Sequence, residues 1–86
     1  MDSPAAQEKK VRLNRLRWRS RRGLLELDLV LTRFLAKYLE KLSEAELLAY
    51  TQLLQGEDND LLDYVNGLQV PQDIMQQQIV AYWLED

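Results

Sequence analysis

Leu24, Leu27, Leu31, Phe34 and Tyr38 recur at spacings of three and four, the period that gathers side chains on one face of an α-helix. Leu35 and Leu42 lie beside this stripe, while Glu26, Arg33, Lys37 and Glu40 fall on the other side. The pattern predicts a helix from Leu24 to about Lys41, with Glu26 and Asp28 in its first turns, where negative charge is favoured. A second helix follows, with Leu47, Tyr50 and Leu54 on its buried side and Leu48 and Leu53 nearby. Its start is clear: Ser43 and Glu46 three residues later form a capping box, and Leu42 with Leu47 a hydrophobic staple. It runs to about Gln55 and stops at Gly56. Glu57 to Asp60 is a turn offering N-caps. A short helix through Leu61, Leu62, Tyr64 and Val65 then ends at Asn66-Gly67. Pro71, at or near a first helical position, opens the last helix, whose apolar side is Ile74, Met75, Ile79, Tyr82 and Trp83, through about Leu84. Upstream, Lys9 to Arg22 contains no Gly or Pro, and its apolar residues are Val11, Leu13, Leu16 and Trp18. It reads as a helix with Gly23 at or just past its end. No stretch shows the alternation of a strand. The expected fold is all-α, a small five-helix bundle in a single domain over 8–86, with Leu27, Leu31, Phe34, Leu47 and Leu54 in its core. A flexible N-terminal end, 1–7, precedes it, and Pro4 is a candidate helix start.

Composition narrows the function. A chain of 86 residues makes one domain and buries only roughly 60% of its unfolded surface. It has no cysteine and no histidine, so disulfides, thiolate chemistry, the commonest general base and the commonest transition-metal ligands are all missing. No apolar run approaches the ~20 residues needed to span a bilayer, and the basic N-terminus is not followed by the apolar segment of a secretory signal. The expected location is the cytoplasm. Charge is split sharply: eight basic residues against two acidic ones up to Arg22, then three against twelve from Gly23 onward, for a net charge of −3.

Three candidate sites have simpler explanations. Asp58-Asn59-Asp60 resembles the opening of a calcium loop, but that loop needs Gly at its sixth position and Glu at its twelfth, where this chain has Asp63 and Gln69. The basic segment with Trp18 could attract phosphate and stack a base, which makes a helical nucleic-acid-binding module the alternative reading. The acidic remainder of the chain opposes it. Tyr82 and Trp83 lie on the apolar side of a helix and read as core.

The junction Arg21-Arg22-Gly23-Leu24-Leu25-Glu26-Leu27-Asp28 is where the charge changes sign. Spacing alone allows a bland account: Gly23 ends one helix, Glu26 favours the start of the next, and Arg22 screens Glu26 at i, i+4 for roughly 0.2–0.5 kcal/mol. Arg22 and Glu26 are both expected to be exposed. The same residues resemble the R-G-x-x-E-x-D signature of the SdhE family of succinate dehydrogenase flavinylation and assembly factors, whose mitochondrial relatives are called succinate dehydrogenase assembly factor 2. The resemblance covers about residues 9 to 85. A second matching segment runs from Leu53 to Val65, where this chain has Asn59 in place of a frequent proline and Tyr64 in place of a frequent tryptophan.

The resemblance implies a protein that binds the flavoprotein subunit of succinate dehydrogenase, and of fumarate reductase, and promotes covalent attachment of FAD to a histidine of that subunit. It carries Arg22, Gly23, Glu26 and Asp28 over as the partner-binding surface, with Trp18 and Arg21 beside them. Residue chemistry limits the means. A chain without His or Cys is poorly equipped to supply the nucleophile, and without a glycine-rich phosphate loop it is poorly suited to hold FAD stably. The expectation is therefore a factor that is not an enzyme, that binds no nucleic acid and does not insert into a membrane, and that templates a conformation of its partner.

Overall fold

The computed structural model describes residues 4–85. It contains α1 (Pro4–Arg19), α2 (Leu25–Tyr38) running directly into one turn of 3-10 helix (Leu39–Lys41), α3 (Glu44–Leu54), α4 (Asp58–Val65) and α5 (Ile74–Trp83), with no strand among the described residues. The five-helix, all-α expectation holds. Of the segment 1–7 expected to be flexible, 1–3 lie outside the described residues, and α1 already runs from Pro4.

The core forms because the apolar stripes of α2, α3 and α5 meet. α5 packs mainly on α3, and α2 lies against α4 and α5. Phe34 sits at the centre, its ring centroid 5.0 Å from Tyr50, 5.8 Å from Tyr38 and 6.3 Å from both Tyr82 and Trp83. Leu27, Leu31, Leu47 and Leu54 are buried around it as expected, as are Leu39, Leu61 and Ile79. Tyr38 and Tyr82 stack at 4.4 Å on the outer side of this cluster. Aromatic pairs at such separations add about 0.5–1.5 kcal/mol beyond area burial. α1 contributes less to the core, through Leu13 and Leu16 among the described side chains, while Val11 and Trp18 on the same helix are exposed.

Several boundaries differ from expectation for identifiable reasons. α1 stops at Arg19, not Arg22: the Ser20 amide still makes the helical bond to the Leu16 carbonyl at 3.0 Å, joined by the Ser20 hydroxyl at 2.6 Å, but the Arg21 N–H shifts to the Trp18 carbonyl at 3.2 Å and Gly23 takes φ +80°. The long helix expected to reach Lys41 tightens to 3-10 geometry at Leu39. α4 begins at Asp58 rather than Leu61, so the acidic turn is the helix's own first turn, where Asp58 and Asp60 suit the dipole. It ends as expected: Leu68 N–H reaches the Asp63 carbonyl at 2.8 Å and Gly67 N–H the Tyr64 carbonyl at 3.2 Å, a Schellman motif with Gly67 at φ +74°. α5 begins at Ile74, three residues beyond Pro71, because the Asp73 carboxylate caps the Gln76 amide at 3.0 Å. That later start leaves Ile74 exposed rather than on the apolar side where it was expected, and Leu48, expected near the buried side of α3, is exposed as well.

Candidate functional site

The chain bends between α1 and α2 over residues 20–24. Leu24 is extended, with φ −106° and ψ 113°, so the stretch before it is not part of α2. Gly23 has φ +80°, a left-handed conformation costing other residues roughly 1–2 kcal/mol. The bend turns two consecutive amides toward the first turns of α2. There Asp28 receives both: Arg22 N–H donates to Oδ1 at 2.8 Å and Gly23 N–H to Oδ2 at 3.1 Å. A carboxylate with both oxygens engaged this way fixes the bend through charge-assisted bonds.

Arg22 braces the bend from the other side. Its guanidinium donates to the Leu54 carbonyl at the end of α3 and lies 3.5 Å from the Asp58 carboxylate at the start of α4. Its side chain is only 18% exposed, which corrects the expectation of an exposed Arg22 paired with Glu26. The i, i+4 pairing requires a continuous helix, and the extended Leu24 interrupts it. Asp28 is likewise half-buried and turned to the backbone. Behind the bend, Ser20 is buried and meets the Tyr50 hydroxyl. Burial pushes the Tyr50 phenol up to about 12.

The other candidate residues face outward. Glu26 is exposed and makes no hydrogen bond or ion pair among the described residues. Gly23 is exposed, and a Cβ built on it meets nothing within 4 Å. Trp18 is 71% exposed, with the Arg21 guanidinium 5.2 Å from its ring centroid, a cation–π arrangement. Sequence reasoning missed two neighbours. Leu25 is 76% and Leu29 63% exposed, and the helical period puts them opposite the buried Leu27 and Leu31. Their signal was two leucines four apart, off the core stripe. This end of the molecule thus presents one carboxylate, an open glycine, an arginine-covered tryptophan and two bare leucines on a braced support. Such a surface suits docking of another protein, where a few aromatic and arginine anchors carry most of the energy. No group of three or more His, Cys, Asp or Glu is arranged to hold a metal among the described residues. The paired amides of the bend, the natural cradle for an anion, are already filled by Asp28.

Residues 14–85 match the protein-family model described as "Flavinator of succinate dehydrogenase". The chain belongs to this family. The match includes the bend, all of α2 to α5 and the part of α1 that carries Leu16 and Trp18. Among curated relatives of the flavinator family, the chain is similar to the FAD assembly factor SdhE of Ralstonia nicotianae, at 47% identity over 58 residues (67% of this chain, 61% of the relative). It is 42% identical over 59 residues to the FAD assembly factor SdhE of Legionella pneumophila (69% and 75%). It is 42% identical over 73 residues to that of Xylella fastidiosa (85% and 69%). The match therefore spans 61% of the length of the Ralstonia protein. No solved structure matches the chain. The relatives are named as assembly factors rather than as enzymes, and the family is the one that the bend signature suggested.

Proposed function

We propose that this chain binds the flavoprotein subunit of succinate dehydrogenase in the cytoplasm and promotes covalent attachment of FAD to it. It does so by holding the subunit in a conformation in which the attachment proceeds. The flavoprotein of fumarate reductase is a second partner of the same kind. The factor acts as a template: FAD ends on the partner, and the chain itself, lacking His and Cys, contributes no nucleophile. The observation that carries this reading is the division within the signature. Arg22 and Asp28 are engaged in bracing the bend, whereas Gly23 and Glu26 stand exposed on it. Gly23 and Glu26, with Trp18 and Arg21 beside them, are the contact residues, and Arg22 and Asp28 give the contact its shape. The family match supports the flavoprotein as partner.

The test expresses variants in cells lacking the native factor and reads covalent flavin on the succinate dehydrogenase flavoprotein by fluorescence in a denaturing gel. Glu26→Ala lowers flavinylation while its melting temperature stays within what ~0.5 kcal/mol allows. Gly23→Arg lowers flavinylation as well, through bulk and backbone strain. Arg22→Ala differs in kind. It also destabilises the factor, by about 1–3 kcal/mol, since it strips the Leu54 carbonyl of its charged partner. Full flavinylation by folded Glu26→Ala and Gly23→Arg would sink the site assignment.

A further inference from the structure

An open groove of about 880 Å³ runs along the flank of α2 that carries Asp28. From Asp28 to Lys41 it is roughly 20 Å long at helical rise. Arg17 and Arg21 line it near the bend, and Lys37 and Lys41 line it at the far end of α2 and in the 3-10 turn. Between them lie Thr32, Leu35 and Ala36. The acids on the lining are Asp28 and Glu40, and Asp28 is already held by two amides. Lys37 pairs with Glu85 at 3.1 Å, but the Lys41 ammonium makes no ion pair among the described residues. With Asp28 and Lys37 already engaged, Arg17, Arg21 and Lys41 stand against the one remaining lining acid, Glu40, in the groove of a chain whose net charge is −3.

We propose that this groove takes an acidic segment of the partner polypeptide, in which apolar residues are flanked at both ends by carboxylates. The proposal rests on the reading above that the partner is a flavoprotein. Charge at the ends and an apolar middle is the pattern that selects the occupant. FAD has the opposite pattern, with its charge in a central pyrophosphate and its rings at the ends. A nucleic-acid strand carries its charge at every step and would set phosphates against Leu35 and Ala36. Recognition of an amphipathic segment by a groove with an apolar floor and charged rims uses ordinary helix-in-groove physics, with the charges fixing register.

The test uses the full chain and two fluorescein-labelled synthetic peptides of about thirteen residues, which as a helix span a groove of roughly 20 Å. One carries glutamates at both ends around an apolar centre. The other has the same composition with the glutamates in the centre. By fluorescence anisotropy, the end-charged peptide binds the wild type more tightly than the centre-charged one. It binds an Arg17→Glu, Lys41→Glu double variant about tenfold more weakly, and a Lys9→Glu, Lys10→Glu control of equal charge change within about twofold of wild type. Circular dichroism establishes that each variant is folded. Equal weakening in the control overturns the proposal, as does indifference to where the glutamates sit, or tighter binding of FAD or a single-stranded oligonucleotide. A second arm measures the complex with purified succinate dehydrogenase flavoprotein. A wild-type complex weakened in the groove variant supports the proposal, and one unaffected by it overturns the groove alone. Discriminating peptide binding with no flavoprotein complex leaves the groove standing and removes the reading above.

Discussion

Tyr50 joins the core to the bend through a single hydroxyl. Its ring is fully buried against Phe34. Ser20 gives its only hydroxyl proton to the Leu16 carbonyl, so in the Ser20–Tyr50 contact the phenol is the donor. Burial pushes that phenol up to about 12. A free tyrosine titrates near 10. A group whose pKa is raised on folding contributes its stability below the unfolded value and loses it as pH rises toward the folded one. The domain is therefore expected to lose about 2–3 kcal/mol between about pH 10 and about pH 12 from this residue. Tyr50→Phe, though less stable at neutral pH, shows a flatter decline over that window in urea melts. An identical decline in the two proteins rules the assignment out. The residues of the bend were visible in sequence as a motif, but their directions were not. The i, i+4 spacing of Arg22 and Glu26 presumes a helix through Leu24, and nothing local to the motif shows that Leu24 is extended. Nor does the motif show that the Arg22 guanidinium reaches the Leu54 carbonyl, thirty-two positions away.

At the scale of elements, starts are legible where the cap is local and chemically complete. The Ser43 hydroxyl accepts the Glu46 amide at 3.2 Å, and the Glu46 carboxylate accepts the Ser43 amide at 3.0 Å, as the Ser-x-x-Glu spacing implies. Leu42 and Leu47 are both buried beside this start. The starts of α4 and α5 were misplaced because several polar residues competed for each cap. Glu57, which caps α4, makes no side-chain cap bond. At α5 the carboxylate of Asp73 prevails over the preset backbone of Pro71. Ser43→Ala is expected to cost about 1 kcal/mol and Ser43→Asp to retain most of it, a difference of several degrees in melting temperature for a domain of this size. The Ser43 amide, ahead of the Tyr82 hydroxyl, holds the Glu46 carboxyl below its ordinary value. Its contribution is thus present above the ordinary carboxylate range and lost as pH falls through the depressed value. The gap between Glu46→Gln and wild type should therefore narrow in acid, and a gap independent of pH counts against the box.

For the whole molecule, the distribution of buried side chains implies two levels of cohesion. Phe34, Tyr50 and Trp83 pack mutually across α2, α3 and α5. α1 is attached through Leu13, Leu16, Ser20 and the exposed Arg12–Glu44 ion pair at 2.7 Å, and a pair of that kind is worth little. Regions with few buried apolar contacts open at lower free energy than the core. Phe34→Ala, costing roughly 3–5 kcal/mol, should therefore lower amide protection throughout the bundle. Leu16→Ala should release α1 while α3 and α5 keep their protection. The bend gives this contrast its sharpest reading. The Arg22 and Gly23 amides donate to Asp28 of α2, and the Arg22 guanidinium is held by α3 and α4, so none of these bonds depends on α1. In Leu16→Ala the amides of Arg22 and Gly23 should go on exchanging slowly while those of α1 exchange fast, as read by hydrogen exchange with NMR detection. Joint loss of protection in α1 and at Arg22 and Gly23 would mean that the bend is held by the basic helix, and that the exposed surface at Glu26 cannot outlast its release.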